Sequence, residues 1–165
     1  MLCQARRIDI KVESVYKYLL VAFFFLNFYL AGVFVLEIEV NYRTWLLIGA
    51  NEFPLYHQSL TRLLFPVLFI PMAIALPLSW LMALRTTIRK DRNLFLAHAL
   101  CFTAFSIATF TLMVPLHTQL SQAFDADMIQ QLIFRSALTR LPFQVAMAII
   151  STILLFRYLK PVRQF

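Results

Sequence analysis

An all-α bundle of four membrane-spanning helices is the fold this sequence predicts, and three observations predict it. Of 165 residues 61% are hydrophobic and the mean hydropathy is +0.76, more apolar side chain than a soluble core of this size can hide. The apolar residues gather in four runs, each near the roughly 20 residues that a helix needs to cross a hydrocarbon core. Basic residues cluster between those runs, where lipid headgroups would meet them. One domain is expected over residues 1–165, because two glycines and no charge block or Ser/Gly-rich stretch leave no place to divide the chain.

The net charge of +7 would suggest nucleic acid in a soluble protein. Here the lipid bilayer is the expected partner and nucleic acid is not, since the cations sit at the ends of oily segments. Cys3 falls in the basic N-terminal tail and Cys101 inside an apolar run, so this topology keeps them from forming a disulfide. The charged segment through Lys17 has no apolar stretch followed by a small-residue cleavage site. The first span is therefore expected to remain as an anchor.

The four runs extend from Tyr18 to Val40, Leu63 to Leu84, Leu94 to Leu116 and Leu141 to Leu159. The first is rich in Phe (Phe23, Phe24, Phe25, Phe28), broken only by Asn27 before Glu37, and is expected to face lipid. The second carries Pro66, Pro71 and Pro77, which should kink rather than break it where neighbouring helices take up the freed carbonyls. The third has Thr103, Ser106, Thr109 and Thr111, small hydroxyl residues that favour close helix approach, and it is expected to sit centrally and end at Pro115. Before the fourth, a further helix is expected over Asp127 to Leu138, with Asp127 and Gln130 as a capping pair. Trp80 and the Phe stripe are expected to be packing.

Orientation follows from the cations. Arg6, Arg7, Lys11, Lys17, Arg85, Arg89, Lys90, Arg92, Arg157, Lys160 and Arg163 fall on one side, against Arg43, Arg62, Arg135 and Arg140 on the other. That bias puts both termini in the cytoplasm and the two longer connections outside.

The polar residues that need explaining gather on the outer side. Glu37 and Asn41 are four apart on one helix face at the end of the first span, while Glu39 points away and can reach water. The segment from Tyr42 through Tyr56 carries Trp45, Phe53 and Tyr56 among polar residues, and is expected to lie along the lipid interface. Pro54 suits a helix first turn, and a helix starting there aligns His57 with Thr61. Thr109, Met113 and His117 share a face of the third helix, so two imidazoles can converge near the outer surface.

His57, His117, Glu37 and Arg140 are thus the candidate catalytic residues, and Tyr42, Trp45, Glu52, Tyr56 and Met113 the candidate substrate-binding ones. The histidine pair with Glu37 or Glu52 has the ligand types of a transition-metal site, with His57 and His117 as ligands, and neutral imidazole also serves as a general base. Spacing specifies neither role and no cofactor: HExxH, CxxC, a phosphate loop and Gly-x-Ser-x-Gly are all absent. The plainer reading of the two histidines is an interfacial hydrogen bond to a helix end, and His98 near the cytoplasmic end reads as structural. Arg135 and Arg140 would form an anion wall or, more plainly, pair with Glu37 and Glu52 across the bundle mouth.

The stretch Glu52-Phe53-Pro54-Leu55-Tyr56-His57, with Val114-Pro115-Leu116-His117, Leu120 and Phe124-Asp125, resembles a bacterial family of small four-span membrane proteins that is distantly similar to the anthrone oxygenase-like proteins. The resemblance implies an inner-membrane bundle with a polar site near the ends of helices one to three, acting with oxygen on an aromatic or lipophilic small molecule. Members often carry a second histidine where this chain has Leu60, and an Asn-Trp pair where it has Ala137 and Leu138, so only His57, His117 and Arg140 carry over. The competing expectation is a non-enzymatic membrane component, a homo-oligomer or assembly subunit that packs through the Ser/Thr face of its third helix. Transport is less favoured, since four spans without an internal repeat do not readily supply alternating access.

Overall fold

The computed structural model describes residues 2–159, with side chains from Ser14 onward. Cys3, Arg6, Arg7, Lys11, Lys160 and Arg163 lie outside the described side chains. Every regular element among the described residues is helical: α1 (Leu2–Leu36), α2 (Tyr42–Trp45), α3 (Phe53–Leu64), α4 (Ile70–Arg85), α5 (Arg89–Ala108), α6 (Val114–Leu120), α7 (Ala126–Thr139) and α8 (Leu141–Leu159). Three wide π-helical turns, Glu37–Asn41, Phe65–Phe69 and Thr109–Met113, join α1 to α2, α3 to α4 and α5 to α6 without breaking the rod. Four rods are long and apolar enough to cross a membrane: Ser14–Trp45, Phe53–Arg85, Arg89–Leu120 and Leu141–Leu159. The chain is an integral membrane protein built as a four-helix bundle.

Three of these spans run further outward than the hydropathy suggests, and the prolines explain two of them. In a regular helix a proline ring collides with the carbonyl four residues back and leaves it without a donor. A wide turn opens that gap. The Ile70 N–H reaches back to Phe65 O around Pro66, and the Val114 N–H to Thr109 O just before Pro115. The third span therefore passes Pro115 and continues to Leu120 instead of stopping there. The Val67 carbonyl, which Pro71 leaves free, accepts the Tyr29 hydroxyl of the first span at 2.9 Å.

The third span has the largest buried share of the four, as its small hydroxyl residues suggest. Ser106 and Thr109 are buried and donate to Phe102 O and Phe105 O of their own helix. Of the face suggested as an assembly surface, these two residues lie inside the bundle, whereas Thr103 is half-buried and Thr111 exposed. The first span is divided between core and lipid: Phe23 and Phe24 are buried, Phe25 and Phe28 exposed, and the buried Asn27 donates to Phe23 O at 2.7 Å. Trp80 donates to Thr103 Oγ1 at 3.1 Å across the second and third spans.

The two ends of the bundle differ. At the end carrying both termini, Tyr16 bonds Thr86 Oγ1 and the Tyr158 hydroxyl, and Arg157 pairs with the buried Asp91, so all four spans are tied together there. At the other end α7 lies over the bundle and turns Ile129, Leu132 and Ser136 inward. Its cap is Asp125, not Asp127: Asp125 is extended (φ −145°, ψ 107°) and its Oδ1 accepts the Met128 N–H at 2.9 Å. The aromatic rings expected at the lipid interface turn inward as well. Tyr42, Trp45 and Phe53 are at most 1% exposed and pack with Ile38, Met113 and Leu120 beneath α7. The helix of the first span simply continues through them, and the link that follows, Leu46 to Glu52, is short.

Candidate functional site

The three wide turns lie at the same place. One cavity of about 320 Å³ takes Glu37 from the first, Phe65, Leu68 and Phe69 from the second, and Thr109, Phe110 and Met113 from the third. Residues five apart on a regular helix point about 140° away from one another. The wide turn, closed by the Tyr42 N–H on Glu37 O, instead directs both Glu37 and Tyr42 into the bundle. Such turns inside otherwise regular helices recur at functional sites. Phe65 and Phe110, on the cavity wall, are 59% and 52% exposed on the outer surface of the second and third spans. The cavity therefore opens sideways between these two spans, beside the exposed Thr61 and Thr118 of the same wall.

Its polar wall is a chain of hydrogen bonds drawn from the outer ends of the first three spans and from Arg140, at the junction of α7 and α8. Arg140 Nη2 donates to the Tyr42 hydroxyl at 3.1 Å; that hydroxyl lies 3.1 Å from His117 Nε2; His117 Nδ1 lies 3.1 Å from His57 Nε2; His57 Nδ1 lies 2.9 Å from Ser121 Oγ; and Ser121 donates to His117 O at 2.9 Å. With both imidazoles neutral, the Ser121 end sets the direction of every bond. A guanidinium only donates and a carbonyl only accepts. Ser121 spends its proton on the carbonyl, so His57 Nδ1–H donates to Ser121 and His57 Nε2 accepts from His117 Nδ1–H. His117 Nε2 then accepts from Tyr42, whose oxygen accepts from Arg140. In this arrangement each neutral imidazole carries its proton at Nδ1, and each link carries one proton.

His57 is fully buried, stacked on Phe53 and edge-on to Trp45, and it does not line the cavity; it stands behind His117 and holds it. Pro54 in the first turn of α3 is what starts that helix in the register that turns His57 inward. Of the other sequence-derived candidates, Glu37, Tyr42, Trp45, Met113, His117 and Arg140 all line the cavity. Glu52 and Tyr56 do not: both are exposed on the link and on the outer face of α3. Ser121 closes the chain and was not singled out from the sequence, although its position four after His117 puts the two on one face.

The ion pairs expected across the mouth do not form. Arg135 is exposed and reaches only Gln131, 3.4 Å away. Arg140 is 2% exposed, its guanidinium carbon 5.7, 5.8 and 5.9 Å from the ring centres of Phe34, Tyr42 and Phe105, with Nε unpartnered. Glu37 is equally buried and accepts from Asn41 Nδ2 at 2.6 Å. Glu39, by contrast, pairs with Arg43 in solvent.

Among the described residues no three His, Cys, Asp or Glu side chains come together, and the two imidazoles spend their lone pairs on each other and on Tyr42. What the arrangement can do is move protons. Compared with known proteins, the chain matches no family model, no curated protein and no solved structure.

Proposed function

We propose that this protein is a membrane enzyme that draws a lipophilic, aromatic small molecule from the bilayer into the lateral cavity and acts on it by proton transfer through Tyr42 and His117. The observation that carries this reading is the convergence of three wide helical turns on one apolar cavity whose wall holds a directed chain of proton donors and acceptors. Tyr42 passes its proton to His117 Nε2 while His117 passes its own from Nδ1 to His57 Nε2. The phenolate left beneath Arg140 takes a proton from an acidic C–H or O–H of the substrate. The extra proton rests on His57, whose Nδ1–H stays on Ser121, and the substrate anion faces Arg140. His57 is a positioning residue; Glu37 is a second acceptor on the same wall.

The resemblance to anthrone oxygenase-like proteins adds dioxygen: an activated CH₂ flanked by aromatic rings plus O₂ gives a carbonyl plus water, and the only step asked of the protein is deprotonation. The same resemblance is what supports a bacterial inner membrane as the location. The cation bias supports cytoplasmic termini, which would set the cavity in the outer half of the bilayer. An assembly role through the third helix has less support, since Ser106 and Thr109 are buried within the chain.

The test is oxygen uptake by the purified chain in nanodiscs supplied with an anthrone. Uptake above empty nanodiscs is expected, falling about 10²-fold in Tyr42→Phe and His117→Ala. Uptake no greater than in empty discs, or unchanged in both variants, would sink the reading.

A further inference from the structure

Arg140 is a buried cation with no carboxylate against it. Among the described residues no carboxylate oxygen comes within ion-pair distance of its guanidinium, and Glu37, on the same cavity wall, is engaged by Asn41. Of the five N–H donors a guanidinium carries, one is spent on Tyr42, and Nε has no partner. Three aromatic ring faces surround it and give partial compensation. The remaining wall is apolar at the places a ligand body would touch: Leu60, Leu64, Leu68, Phe69 and Met113. A cation that the fold has taken out of water with no carboxylate in contact, Glu37 acting on it only at longer range, and with donors to spare beside an apolar cavity, is complementary to an anion.

We infer that the cavity's ligand is a lipophilic anion: a compact hydrocarbon or aromatic body bearing one acidic oxygen group, carboxylate, phenolate or enolate. The acidic group lies against the free N–H donors of Arg140, and the body extends past Leu64 and Phe69 toward the lateral opening. At about 320 Å³ the cavity is at the small end of ligand sites, which suits a few fused rings and not a two-chain lipid. This inference names the ligand class of the site proposed above and so rests on that site binding a lipophile, but not on its chemistry. Glu37 is the like charge on the wall, and its neutralisation strengthens binding of the anion.

The experiment is a fluorescence titration of the full chain in phosphatidylcholine nanodiscs with two probes of the same shape, 9-anthracenecarboxylate and its neutral carboxamide, corrected for partitioning into empty discs. The carboxylate is expected to bind about tenfold tighter than the amide. That preference vanishes in Arg140→Gln, persists in Arg140→Lys, and grows in Glu37→Gln. Equal affinity of the wild-type chain for both probes overturns the inference while leaving a lipophile site standing, and this comparison needs no variant to fold. A carboxylate preference that survives Arg140→Gln overturns it as well. Binding of neither probe overturns the inference together with the lipophile reading, and oxygen uptake measured separately tells whether the proton-transfer reading falls too.

Discussion

With His57 and His117 neutral, each proton of the hydrogen-bonded chain between Arg140, which can only donate, and the His117 carbonyl, which can only accept, has one place to sit. Tyr42 is the joint, because it alone links the cation to the imidazoles. Tyr42→Phe leaves His117 Nε2 without its donor and Arg140 without its acceptor, in a place with no bulk water. A loss of about 1–3 kcal/mol in stability is expected, measured by thermal unfolding in detergent. His98 makes the opposite case. It is fully buried against Phe23 and Phe102 with neither ring nitrogen partnered, far from the cavity wall. Replacing it with an apolar side chain removes the unsatisfied groups, so His98→Leu should raise the unfolding temperature, by roughly 1 kcal/mol of stability; a fall would show that the imidazole has a partner. The sequence made His57 and His117 legible because Pro54 sets one helix register and the run Thr109, Met113, His117 the other. It did not expose Tyr42 as their link, since five residues from Glu37 is the wrong spacing for a shared face on a regular helix.

Prolines announce two of the three wide turns, and the carbonyls they free become cross-links between helices. The bond from Tyr29 to Val67 O is such a link, and it joins the first span to the second one turn from the cavity. Tyr29→Phe should therefore cost about 1 kcal/mol and loosen the second span near Phe65–Phe69, seen as faster amide exchange there than at Ile70–Arg85. Pro115→Ala restores the N–H whose absence favours the wide turn before it. That change is expected to tighten Thr109–Met113 toward a regular helix, rotate His117 away from Tyr42 and abolish probe binding while the unfolding temperature holds or rises. The turn at Glu37–Asn41 has no proline, and nothing in the local composition marks it. Tertiary packing of Ile38, Tyr42 and Trp45 under α7 accounts for it, information that lies in the partner segments and not in the turn itself.

Across the whole molecule, hydropathy alone was enough for the class of fold and the number of spans, because hydrocarbon leaves a chain few ways to satisfy its backbone. It fell short on where spans end, since the outer turns carry His57, His117 and Arg43 and lower the local average while the helices run on. The segment Tyr42 to Tyr56 divides for a related reason: Leu46, Leu47 and Tyr56 stay exposed while Tyr42, Trp45 and Phe53 turn inward, because aromatic residues beside polar ones suit a headgroup region and a buried site equally well, and α7, arriving from far along the chain, covers only the second set. The side assignment is a whole-molecule property and is tested as one. With Cys3 and Cys101 replaced, a cysteine at Asn51 should react with a membrane-impermeant maleimide in intact cells and one at Arg89 only after lysis; the reverse pattern would invert the orientation.

The sideways opening between Phe65 and Phe110 has a consequence for how any ligand is dosed. A site fed from the hydrocarbon senses mole fraction in lipid, not molarity in buffer. Association rates will rise with each compound's mole fraction in the lipid, and adding lipid at constant protein and ligand will slow binding by dilution in two dimensions.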